Sequence, residues 1–162
     1  MYRIRIIASL GLLLFMSASQ AQSPLTFNLT GTITPGVCSF TATDVDLGTY
    51  PATLFTGNYA TPFRDVLISS QGCDPLVTMV HMTFSGTADA ADPALFLGVT
   101  GIGIELQRKS PVQAIRPTGT TLDFVPVAAG GNHFLQARFK QSAPAVASGS
   151  VTRPIVINFT YN

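Results

Sequence analysis

"SVTRPIVINFTYN", Ser150–Asn162, forms the last thirteen residues of the chain and reads as a strand. From Pro154 onward Ile155, Ile157, Phe159 and Tyr161 fall on one face and Asn158 and Thr160 on the other, with only Val156 out of step. A period of two carried by β-branched and aromatic residues marks a half-buried strand. Terminal residues fray unless something ties them down. A strand this apolar therefore needs a sheet to pair with and a core to pack on.

Upstream segments of the same kind supply both. Short alternating or apolar runs occupy Leu25–Ile33, Val37–Thr41, Phe63–Ser69, Val77–Phe84, Ile102–Gln107, Thr121–Val127 and Asn132–Lys140. Turn residues separate them: Pro35-Gly36, Gly57-Asn58, Gly72 with Asp74-Pro75, Asp92-Pro93, Pro117 to Gly119, and Gly130-Gly131-Asn132. No stretch after the first twenty residues has a helical period. Many short strands with regular turn punctuation predict an all-β sandwich or barrel.

The start of the chain is of another kind. Arg3 and Arg5 precede an apolar run, Ile6–Met16, and Ser17-Ala18-Ser19-Gln20-Ala21 ends it with small residues. That is the pattern of a secretory signal peptide, 1–21, cleaved after Ala21. The run is too short to span a bilayer comfortably, so the protein is expected not to be membrane-spanning. Residues 22–34 then alternate, with Leu25, Phe27, Leu29, Gly31 and Ile33 on one side and Thr or Asn on the other. A freshly processed terminus is usually polar, whereas this one is an amphipathic strand. Residues 35–162 make a single domain with no internal repeat or linker.

Nine Lys and Arg stand against eight Asp and Glu, and two of the nine lie in the first five residues. Nucleic-acid binders concentrate basic charge on one surface, and nothing here does so. Cys38 and Cys73 both lie in the exported part. Export with an even count favours one disulfide in an oxidising compartment, with two buried free thiols as the alternative. Such a bond would contribute roughly 3–4 kcal/mol in the chain-entropy account.

Residues for chemistry are sparse. His81 and His133 sit in separate strands with no third ligand at metal-like spacing, so no metal or cofactor is expected. "GVTGIGIEL", Gly98–Leu106, lacks the third glycine and the following helix of a dinucleotide fingerprint. Gly101 and Gly103 read instead as a turn and a close strand contact. The acids are scattered, mostly beside turns, and no serine stands in a Gly-x-Ser-x-Gly elbow. An enzyme is not expected.

Taken together, the termini resemble those of pilins, the fimbrial subunits assembled by the chaperone–usher pathway. The resemblance covers the whole mature chain. It is carried by Gly31 seven positions before Cys38, the pair Cys38 and Cys73, "TFSG" (Thr83–Gly86), "GIGIEL" (Gly101–Leu106) and "FLQARF" (Phe134–Phe139). Most specific is the C-terminal pattern: Gly149 fourteenth from the end, alternating apolar residues, and Tyr161 penultimate.

The resemblance implies an incomplete immunoglobulin-like sandwich lacking its last strand, with a disulfide joining Cys38 and Cys73. It implies that residues 22–34 are a donor strand offered to a neighbouring subunit. The groove strand, marked by Gly149, Ile155, Ile157, Phe159 and Tyr161, would first receive a strand from a periplasmic chaperone. At an outer-membrane usher the next subunit's extension would replace it, and the polymer would stand on the cell surface as an adhesive fimbria. A minor adaptor or tip-proximal pilin shares these features. A secreted immunoglobulin-like binding module is the alternative from another class, and it would need no partner strand.

Overall fold

The computed structural model describes Thr30 and residues 36–162. Nine strands follow in order: β1 (Ser39–Ala42), β2 (Arg64–Gln71), β3 (Val80–Ser85), β4 (Phe96–Val99), β5 (Ile102–Arg108), β6 (Gln113–Ile115), β7 (Thr118–Phe124), β8 (Gly131–Gln141) and β9 (Val156–Tyr161). One 3-10 turn, Ala52–Leu54, is the single helical element among the described residues. One sheet has the order β1-β2-β8-β5-β4, with β6 also on β5, and the other has the order β7-β3-β9. Every strand pair is antiparallel.

Alternation in each strand builds the core between the sheets. In β3, Val80, Met82 and Phe84 are fully buried while His81, Thr83 and Ser85 face outward. Ile68 of β2, Ile104 and Leu106 of β5, Leu122 of β7 and Leu135 and Ala137 of β8 complete one cluster with Met82 and Phe84. Burying each large side chain stabilises the fold by about 1.5–3 kcal/mol. A second cluster forms around the disulfide between Cys38 and Cys73, which spans 35 positions and ties the approach to β1 to the end of β2. Val77 and Val80 pack on it.

Gly101 and Gly103 play the parts their spacing suggested. Gly101 takes φ +76° in the turn from β4 to β5, and a Cβ at Gly103 would stand 2.7 Å from the Leu95 Cβ. Three elements differ most from the sequence pattern. The strand Phe96–Val99 was not anticipated, because an apolar tetrapeptide containing Gly98 shows no alternation. Neither was β6, three residues caught between Pro111 and Pro117. β7 begins at Thr118, inside the segment read as a turn, and stops at Phe124, ahead of Pro126, which has no N–H to continue the ladder.

Candidate functional site, an open groove beside the last strand

β9 lies at the edge of its three-stranded sheet and pairs only with β3. The register sets Tyr161 opposite Val80, Phe159 opposite Met82 and Ile157 opposite Phe84. These three side chains therefore point inward with the core row of β3. Yet each is only half-buried, whereas their β3 partners are completely buried. The outer edge of β9 has no strand beside it among the described residues, and its backbone groups there are a template for another strand.

Pairing is shorter than the alternating pattern suggested. It starts at Val156, and Ser150–Ile155 form no ladder. Pro154 lacks the N–H that a ladder there would need. Ile155 thus sits one residue ahead of β9, though it still packs on the main core cluster. Gly149 is also outside any strand, with a Cβ position 3.0 Å from Val99 Cγ1. Of the expected groove residues, Ile157, Phe159 and Tyr161 stand in β9. Leu25, Phe27, Leu29, Gly31 and Ile33 lie outside the described residues.

The unpaired stretch borders a groove of about 890 Å³. One wall is Ala147–Pro154 and the other is Asp44–Tyr50, both without regular structure, and Val99, Ile102, Ile104 and Phe139 contribute its apolar lining. At the other end of β9 the space is closed. Phe40 stacks on Phe159 with ring centroids 3.8 Å apart and meets Phe124 edge-on at 6.1 Å. The Tyr161 hydroxyl donates to the Cys38 carbonyl at 3.4 Å. Thr78 N–H, Met79 N–H and the Thr78 hydroxyl converge on the Asn162 backbone oxygen at 2.7, 3.3 and 3.0 Å. The last strand is clamped at its end and open along its side.

Sequence reasoning missed several of these groups. Phe40 was within reach, since it alternates with Cys38 in the same run. The groove floor was not, because its residues come from three distant strands, and the 44–50 wall forms no strand although Val45 and Leu47 alternate with Asp44 and Asp46.

The histidines serve other ends. The His81 imidazole Nδ1 lies 2.7 Å from Asp123 Oδ1 and its Nε2 lies 3.1 Å from Asn162 Nδ2, on the outer face of the small sheet. His133 faces the sandwich interior with its ring 4.0 Å from that of Phe124. Among the described residues no group of three or more His, Cys, Asp or Glu is placed to hold a metal ion. None of the described helices is long and apolar enough to cross a membrane.

Burial, and then the charge of Arg108, hold the His133 imidazole below its ordinary value of 6.5. Protonation is therefore easier in the unfolded chain. This stabilisation is fully present above the unfolded value and is lost as pH falls through the depressed folded one. His133→Gln is expected to flatten the acid limb of stability, so that wild type loses more than the variant from about pH 7 downward. Urea midpoints measured across that range test this, and parallel curves would assign the acid limb to other groups.

Comparison with known proteins agrees with this architecture. The model of the family described as "Fimbrial protein" matches residues 27–161. No curated protein matches the chain. Among solved structures, the P pilus rod subunit PapA superposes with a TM-score of 0.66 at 18% identity, covering 77% of this chain and 99% of its own. A subunit from the structure of a chaperone–usher pilus gives 0.64 at 20% identity, with 90% and 99% covered. An antigen and type I fimbria protein of Burkholderia pseudomallei gives 0.59 at 17% identity, with 78% and 100% covered.

Proposed function

The chain belongs to the fimbrial protein family, and from that premise we propose that it is a structural pilus subunit that polymerises by donor-strand exchange. One observation carries the reading: the bare outer edge of β9, whose inward side chains are only half-buried, continued upstream by the groove along Ala147–Pro154. An extended segment laid there would bond to the β9 backbone and send alternate side chains into the groove. Residues 22–34 have the required alternation, with Leu25, Phe27, Leu29 and Ile33 as the inserting side chains and Gly31 where the groove is shallow. They carry no charge, so insertion depends on shape and apolar burial and not on steering.

A strand given by one copy to the next makes a head-to-tail contact that does not close on itself, which produces a filament. Before assembly a periplasmic chaperone covers the groove, and an outer-membrane usher is the site of exchange. The filament then stands on the cell surface and supports adhesion.

A synthetic peptide of Pro24–Thr34, added to the full chain in its chaperone complex, tests this. It should displace the chaperone and raise the melting temperature of the released subunit. A ligand at one hundred times its Kd adds about 2.7 kcal/mol, several degrees for a domain of this size. The same peptide with Gly31→Leu should act more weakly. If saturating peptide neither displaces the chaperone nor moves the melting temperature, residues 22–34 are not a donor strand.

A further inference from the structure

A second opening lies away from β9, at the mouth of the sandwich where β5, β7 and β8 meet. It encloses about 440 Å³, within the ~300–1,000 Å³ range of small-ligand pockets. Its floor is apolar: Met82, Leu122 and Leu135, each almost wholly buried.

Two residues break the inward apolar rows that lead to it. Along β5 the inward positions run Ile102, Ile104, Leu106 and then Arg108, which is paired in register with the buried Leu135. Along β8 they run back from Phe139, Ala137 and Leu135 to His133, paired with the buried Ile68. Arg108 is partly buried at the end of a core row, where an anion paired with its guanidinium makes a strong charge-assisted hydrogen bond. Arg108 has no ion pair among the described residues. The other cation here, Lys109, is already held by Asp65 at 2.8 Å, and Asp123 is engaged through Oδ1 by His81.

We propose that this cleft binds a small polyhydroxylated carboxylate, an acidic sugar or sugar acid, with its carboxylate on Arg108. A guanidinium matches a carboxylate with two parallel hydrogen bonds. On the rim Ser110 offers its hydroxyl to the ligand's hydroxyls, and Asn132 offers its amide N–H groups, its Oδ1 being taken by the Ser69 hydroxyl at 2.9 Å. The apolar floor takes the carbon face of the ring. His133, whose Nε2 lies 3.5 Å from the Ser70 hydroxyl, completes the lining. The cleft is formed by strands other than β9, so a ligand here and a strand in the groove occupy different surfaces.

Saturation-transfer NMR on the full chain, in filaments or in its chaperone complex, tests the assignment with glucuronate, glucose and acetate as probes. Glucuronate should bind saturably, with glucose and acetate each at least tenfold weaker, because each lacks half of the recognised chemistry. Arg108→Gln should weaken glucuronate at least tenfold, and Arg116→Gln, at an exposed position between β6 and β7, should leave it unchanged. Arg108→Lys keeps the charge without the two-pronged geometry and should retain an intermediate affinity, which covers the case of a misfolded Gln variant. No saturable glucuronate signal in wild type would overturn the proposal. So would glucose binding as tight as glucuronate, or undiminished binding by a folded Arg108→Gln.

Discussion

A chain lacking Gln22–Thr34 is expected to fold with its chaperone and to form no filaments by itself. Both sheets, the disulfide and both apolar clusters lie within Thr34–Asn162, which is compact on its own contacts. On the donor-strand reading the deletion leaves the bare edge of β9 untouched, so the truncated subunit could still receive a strand. It has none to give. In a head-to-tail polymer every member except one must donate. Mixed with the intact chain, the truncated form should therefore appear at most once per filament, at the end where no donation is required. A tag on the truncated chain, located on sheared filaments by electron microscopy, reads the result. Labels distributed along the filament would make residues 22–34 an ordinary part of the domain and would end the donor-strand reading.

The elements that were legible beforehand are those whose burial repeats every second residue. Val80, Met82 and Phe84 announced β3, and Ile157, Phe159 and Tyr161 announced β9, because each strand alternates a more buried with a more exposed face. The strand Phe96–Val99 could not be read this way, since Gly98 has no side chain to mark a face and its Cβ position meets the Ile102 carbonyl. The groove was half legible. A final strand with an apolar row implied something to fill, but the filling surface is made by Val99, Ile104 and Phe139 on three strands, and only tertiary pairing brings them together. Arg108 and His133 were equally hidden. A basic residue ending a strand reads as a solvated tip until the register of β5 against β8 turns it inward.

Deleting Tyr161 and Asn162 should cost about 2–4 kcal/mol, from one half-buried aromatic and several backbone hydrogen bonds at roughly 1 kcal/mol each. The size of the effect follows from the poverty of support for β9. An edge strand with one neighbour has one ladder, and its register comprises only the positions from Val156 to Tyr161. Tyr161 anchors that ladder on the disulfide cluster, and Asn162 locks it through Thr78 and Met79, with its own N–H donating to the Met79 carbonyl at 3.0 Å. Without both, the strand frays, and the surface assigned to the proposed chaperone contact loses its fixed edge. A loss of this size is a large part of the roughly 5–15 kcal/mol that holds a domain folded. Periplasmic recovery and co-purification with the chaperone should both fall severely. Tyr161→Phe keeps the ring on Val80 and gives up only the 3.4 Å bond to the Cys38 carbonyl, so it should cost about 1 kcal/mol or less and leave co-purification intact. If the two-residue deletion is recovered with its chaperone as well as wild type, β9 is held by its middle and not by its end. Chaperone recognition would then have to reside on Ile157 and Phe159 alone.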